Sequence, residues 1–177
     1  AGGPMASGPA YDSVAAAAMI LGHSVNSLLT RMAAAPGALA VQNNLLQRVA
    51  ERGRLGIPLT ISTDPRSHSH AVAGASVSAS GFSQWPEPLG LSALDDPSLV
   101  KRFASIVRAA YRAAGITMAL SPQADLATEP RWSPISSPFV ESTRRVGPLV
   151  NAYAQGPHGR ATTLTPAGVA PVVAPRG

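Results

Sequence analysis

Residues 56–64 read Gly56-Ile-Pro-Leu-Thr-Ile-Ser-Thr-Asp64, and the fold class turns on this stretch. It is short, rich in β-branched residues and bounded by Gly56 and by Asp64-Pro65, the pattern of a buried strand. Upstream, Pro36 to Arg52 places Ala38, Val41, Leu45 and Val49 at three- and four-residue spacing, with Gly53 as a stop. That periodicity predicts a helix. Downstream, Asp96 can cap, Pro97 suits the first helical position, and Leu99, Phe103, Val107, Ala110 and Ala114 form one apolar stripe that Gly115 closes. Ile116 to Leu120 reads as a further strand, and Val25 to Thr30 as a weaker one. Strand, helix, strand, long loop, helix, strand predicts right-handed βαβ units on a parallel sheet, an α/β fold.

Outside this frame the pattern thins. The first ten residues read as flexible, and Asp12 or Ser13 caps a short Ala-rich helix ending at Gly22. From Pro65 to Leu94 no period persists among the Gly, Ser, Ala and Pro residues, which predicts a long surface excursion. A polar loop is expected from Ser121 to about Pro138. Val146, Leu149, Val150 and Tyr153 have helical spacing, but Gly147 and Pro148 fall inside it, and an interior proline costs a helix about 3 kcal/mol. Gly168 to Val173 reads as a last strand, with Pro171 as its weakness.

The chain has 177 residues, no cysteine and a formal charge of +5. That length suits one domain or part of a larger one. An apolar share of 45% argues against full disorder, and the cysteine count excludes a disulfide scaffold. Only one of the 14 cations is lysine, and the arginines are scattered. With 32 alanines, this is the habit of a GC-rich, bacterial genome rather than a nucleic-acid footprint. The longest apolar run, Val14 to Leu21, falls far short of the roughly 20 residues a membrane helix needs. No signal peptide is read at Ala1–Ala10, and a periplasmic or secreted location remains open.

In parallel α/β folds ligands gather at the C-terminal ends of strands, which directs attention to Asp64 and to the segment after Leu120. A carboxylate at a strand end can accept two hydrogen bonds from sugar hydroxyls; its structural alternative is to cap the turn into Pro65. In Asp125-Leu-Ala-Thr-Glu-Pro-Arg-Trp132, Arg131 offers fixed donors for bidentate recognition and Trp132 a flat face for a sugar ring. The alternative there is an Arg131 bridge to Asp125 or Glu129 that braces the loop, with Trp132 packed as core. His68-Ser-His70 would put two imidazoles on one face of an extended segment. No third ligand completes a metal site, so none is assigned. Gly-x-Ser-x-Gly, Gly-x-Gly-x-x-Gly and Walker loops are absent, and no cofactor is expected.

Four blocks in order carry a family likeness. They are Arg54 to Arg66 (RLGIPLTISTDPR), Phe82 to Leu91 (FSQWPEPLGL), Asp96 to Val100 (DPSLV) and Gly115 to Trp132 (GITMALSPQADLATEPRW), with Val25 to Arg31 and Gln42 to Asn44 fitting upstream. Together they closely resemble glycoside hydrolase family 3, the β-glucosidase family, over roughly residues 20–132. The resemblance implies a (β/α) barrel, here about its first half, that releases terminal β-linked glucose by a retaining mechanism. Two carboxyl groups about 5 Å apart then serve as nucleophile and acid/base. It implies that Asp64 and Arg131 bind the terminal sugar; Asp125, Glu129, Trp132 and His68, from the reading of the residues above, are the candidate supporting residues. The expected partner is a β-glucoside or oligosaccharide, with neither nucleic acid nor membrane.

The pattern departs after Trp132. Where the family continues toward a Thr-Phe-Gly-Glu-Asp-Pro segment, this chain keeps only Phe139 and Glu141. Leu164 to Val173 resembles the strand that leads into a Lys-His pair, yet Ala174 and Pro175 stand at those positions. The nucleophile and acid/base are expected on later strands, so no catalytic residue is assigned and the chain alone is not expected to turn over a glycoside. The alternative is a non-catalytic or degenerate homologue with weak sugar binding. Four strands would leave an open sheet whose edges favour self-association.

Overall fold

The computed structural model describes residues 10–70, 76–78, 80–132 and 134–156, and the backbone of 163–164. The expected flexible first residues up to 9 and the expected strand at Gly168–Val173 lie outside the described residues. The main sheet is parallel throughout, with strands β1 (Ser27–Thr30), β2 (Thr60–Thr63), β3 (Met118–Ala119) and β6 (Thr163–Leu164) side by side in chain order. A doubly wound sheet reverses its strand order at a switch point; this sheet does not. It has the single-wound order of the opening half of a (β/α) barrel. Two further short strands, β4 (Gln123–Leu126) and β5 (Pro138–Val140), pair with each other in the connection after β3.

Helices α2 (Pro36–Glu51) and α4 (Pro97–Ala113) make the two crossovers between the first three strands. Helix α4 starts as the sequence predicts. Asp96 accepts from the backbone N–H groups of Ser98 and Leu99, Pro97 fills the first position, and Gly115 follows at φ +76°, a conformation open to glycine. A Cβ at Gly115 would also press on Asn43 Cβ at 3.1 Å. The α1 helix (Ser13–Ala17) is capped by Asp12 and widens into a π-helical turn over Ala18–Gly22.

Several expectations need correction. On α2 the buried face is Leu39, Asn43, Leu46 and Ala50, whereas Val41 and Leu45 are exposed. Two apolar sets share that helix, and the one completed by the buried Asn43 faces the sheet. Asn43 earns the place by donating 2.8 Å to the carbonyl of Ala114, which ties α2 to the end of α4. The stretch Pro65–Leu94 is not all surface. Arg66, Ser67, Val77, Phe82, Leu91 and Ser92 are buried, Pro88–Ser92 forms the short helix α3, and His68 bridges to Trp85. Its order comes from long-range packing, which leaves no local period. The expected loop after Ser121 contains β4 and the start of β5, for the same reason.

The helix interrupted by Pro148 does form, as α5 (Thr143–Ala154). Pro148 is exposed, so the Arg144 carbonyl it leaves unpaired can face water, while burial of Leu149, Ala152 and Tyr153 offsets the cost. Tyr153 packs edge-on against Phe103 and Phe139, drawing α4, α5 and β5 into the main core. A second cluster of Ala16, Ile20, Leu46, Ala50, Leu59 and Ile61 joins α1, α2 and β2. Among the described residues, no helix is long and apolar enough to cross a membrane.

Candidate substrate site at the ends of β1 and β2

In a parallel sheet adjacent strands finish on the same side, and here β1 and β2 end level, with Thr30 opposite Thr63. The next residue on each strand is therefore placed beside its neighbour. These are Arg31 and Asp64, and they form an ion pair between Arg31 Nη1 and Asp64 Oδ2. Their side chains are 21% and 13% exposed. Arg31 Nη2 also donates to the Ser76 carbonyl at 3.3 Å, so the guanidinium is held from two sides. Among the described residues Asp64 Oδ1 accepts no hydrogen bond. Half-burial raises the Asp64 carboxyl above its ordinary value, and the Arg31 and then Arg66 charges pull it back.

Arg66 lies beneath this pair and is 1% exposed. Its Nε donates to Thr63 Oγ1 at 2.7 Å, Nη1 to the Met32 carbonyl at 2.6 Å and Nη2 to the Thr30 carbonyl at 3.0 Å. Its backbone N–H donates to the Tyr111 hydroxyl at 2.8 Å. One guanidinium therefore fastens the end of β1 to the end of β2. A buried charge is tolerated only when its donors are satisfied, and all three nitrogens of this fork have acceptors. Burial lowers the Arg66 pKa, opposed by Tyr111, Tyr11 and Asp64. Burial likewise pushes the Tyr111 and Tyr11 hydroxyls up. Tyr11 completes the layer, with its hydroxyl 2.6 Å from Thr30 Oγ1 and 2.9 Å from Asn43 Oδ1.

His68 turns inward. Its ring centroid is 5.5 Å from that of Phe103, and Nδ1 lies 2.9 Å from the Pro86 carbonyl, which fixes Nδ1 as the protonated nitrogen. Burial lowers its pKa. Trp85 covers the other part of Phe103 at 5.4 Å. His70 is exposed, so the two histidines do not share a face. Among the described residues there is no cluster of three or more His, Cys, Asp or Glu that could hold a metal.

The second candidate segment is built differently. Arg131 is 89% exposed at its side chain and makes a bidentate bridge to Glu129, at 2.8 and 2.9 Å, with its backbone N–H on the same carboxylate at 3.0 Å. That bridge takes Glu129 down to about 2. Asp125 sits on β4 and is not the partner; Trp132 is half-buried at the following turn. The structure thus brings together Asp64, Arg31 and Arg66, and separately Arg131 and Glu129. It makes no hydrogen bond between Asp64 and Arg131 among the described residues.

Arg31 and Arg66 are the residues that sequence reasoning passed over. Both stood in recognisable blocks, and Arg31 follows β1 as Asp64 follows β2. Applying the strand-end rule to β1 as well would have singled it out.

The model of the glycosyl hydrolase family 3 N-terminal domain matches residues 9–174. A periplasmic β-glucosidase/β-xylosidase from Dickeya chrysanthemi is 54% identical over 157 residues, 88% of this chain and 24% of that protein. β-Glucosidase C of Emericella nidulans is 50% identical over 116 residues, 66% of this chain and 19% of that one. The chain therefore spans about a quarter or less of the curated relatives it matches. Among solved structures, a β-N-acetylhexosaminidase from Beutenbergia cavernae superposes with a TM-score of 0.72 over 90% of this chain and 48% of its own, at 23% identity. A family 3 β-N-acetylglucosaminidase from a Paenibacillus species gives 0.70 over 90% of this chain and 30% of its own, at 22% identity. These two likenesses are of fold, and they agree with the single-wound parallel order of the sheet. With the family model matching nearly the whole chain, and the blocks around Asp64 and Arg131 in family order, the chain belongs to glycosyl hydrolase family 3, as part of its N-terminal domain.

Proposed function

We propose that this chain supplies the terminal-sugar side of a retaining β-glycosidase, and that the full-length enzyme containing it removes β-linked glucosyl residues from non-reducing ends. The observation that carries the proposal is Asp64: a half-buried carboxylate at a parallel strand end, held through one oxygen, with the other making no hydrogen bond among the described residues and so able to accept hydroxyl protons. The names of the Dickeya and Emericella relatives support the substrate class, since both contain β-glucosidase. Arg131 acts as a second sugar ligand once its bridge to Glu129 opens, and Trp132 and His68 shape the surroundings. The nucleophile and acid/base come from outside these residues. The Dickeya relative is described as periplasmic, which supports a periplasmic or secreted enzyme here as well.

The test is hydrolysis of an aryl β-glucoside and an aryl β-xyloside by the full-length enzyme, beside the same chain expressed alone. Turnover of the glucoside by the full-length enzyme and none by the isolated chain is the expected result. No turnover of either substrate by the full-length enzyme would overturn the reading.

A second reading has one observation in its favour. Among the described residues β1 pairs only with β2, its far edge is open, and Leu29 on it is 45% exposed. The isolated chain then self-associates through β1, as an uncovered edge strand does. Light scattering that finds a monomer at every concentration would remove this reading.

A further inference from the structure

We infer that Arg31 is the positioning residue for Asp64: it fixes one carboxylate oxygen so that the other meets the terminal sugar. This inference rests on the proposed role of Asp64 and extends it to a residue that the sugar need not touch.

Four observations support the assignment. First, register: Thr30 and Thr63 are paired, so Arg31 and Asp64 leave the sheet at the same level. Second, the contact is one-sided, with Arg31 Nη1 on Oδ2 and no described partner on Oδ1. Third, the Nη2 bond to the Ser76 carbonyl holds the guanidinium in place, unlike a free surface ion pair that swings with solvent. Fourth, the nearby Arg66 turns its three nitrogens to Thr63, Met32 and Thr30 and makes no hydrogen bond to Asp64 among the described residues, so it acts on the carboxylate through charge alone.

The chemistry follows from these positions. A carboxylate that accepts from sugar hydroxyls must stay ionised and must not rotate. Burial works against the first requirement, and the adjacent guanidinium offsets part of that effect. A fixed Oδ2 meets the second by removing the torsional freedom that would otherwise be lost on binding. Without Arg31, Asp64 would remain in place but as a rotating and more readily protonated group. The loss should then appear in substrate binding and orientation rather than in folding.

The experiment is a double-mutant cycle in the full-length enzyme, reading kcat/KM on an aryl β-glucoside for Arg31→Met, Asp64→Asn and the pair together. Positioning through Asp64 predicts that Arg31→Met alone loses on the order of 10-fold or more. It also predicts that adding Arg31→Met to Asp64→Asn costs less than about twofold more, because the two act as one unit. Arg31→Lys, which keeps the charge but not the fork, should recover part of the loss. Thermal melting of each variant separates this from misfolding, since Arg31→Lys and Arg31→Met should melt close together. Losses that multiply in the double variant would overturn the inference, as would an Arg31→Met enzyme within about twofold of the parent. An inert Asp64→Asn instead refutes the reading of Asp64 itself, and the positioning role with it.

Discussion

The two residues that the family likeness assigns to one sugar stand in opposite physical settings. Asp64 projects from the end of a buried strand onto a layer in which Arg66, Thr63, Thr30 and Tyr111 have their hydrogen bonds satisfied within the fold. Arg131 projects from a connection between two short strands and finds its only described partner two residues away. The first setting is made by the sheet, which exists as soon as β1 and β2 pair. The second is local and open, so its geometry in a working site depends on what packs over it. Roles proposed for the same sugar therefore do not imply shared preorganisation: Asp64 is held by the fold around it, whereas Arg131 is held by its neighbour Glu129.

The comparison can be broken most forcefully at Arg66. Arg66→Met removes three charge-assisted bonds, leaves the Met32 carbonyl without its donor and leaves the Thr30 carbonyl only the longer bond from the Thr63 hydroxyl, so a loss of about 3 kcal/mol or more is expected from the denaturant midpoint. Arg131→Met in the same assay should leave the midpoint unmoved. Equal effects of the two substitutions would erase the distinction. Tyr111→Phe is a smaller version of the same test. It orphans the buried Arg66 N–H and should cost about 1–2 kcal/mol in thermal or chemical unfolding.

His68 gives the distinction a pH dependence. Burial holds its pKa below the ordinary 6.5, so in the interval beneath 6.5 the unfolded chain binds the proton and the folded chain does not. Its contribution to stability is full above that interval and falls as the pH drops through it. Melting temperatures recorded downward from pH 7 should therefore decline, and His68→Gln should flatten the part of the decline that begins near 6.5. Glu129 should behave in the opposite fashion. Held at about 2, it stays ionised over the whole interval, and Glu129→Gln should leave the melting temperature and its pH slope unchanged. That is the smallest effect expected, because an exposed bridge is screened by salt and water.

The difference between the regions also explains what could be read in advance. The strand at Thr60–Thr63 and the helix from Pro97 were legible because their signals are local: β-branched residues between breakers, and a cap, a proline and a stripe. Asp64 was legible from its place at a strand end. Arg31 was within reach of the same rule applied to β1, whereas Arg66 was not, since its bonds to Met32 and Thr30 span more than 30 positions of the chain. The buried run after Pro65 hid for the same reason: Phe82 and Leu91 belong to the core through contacts with α4, without a period of their own. On α2 the apolar spacing was correct as a helix signal and wrong as to face, because a buried asparagine with a long-range partner decided which side turns inward. The helix through Pro148 was undervalued because its apolar side, anchored by Tyr153, is worth more than one backbone bond.

The central claim is that a sugar hydroxyl binds at Asp64. Its most direct test is kcat/KM of Asp64→Asn on an aryl β-glucoside in the full-length enzyme, with folding checked by its melting temperature. Asparagine keeps the size but loses the charge and one acceptor, so a fall on the order of 100-fold with a near-parental melting temperature is the predicted result. A folded Asp64→Asn enzyme within about twofold of the parent would contradict the account.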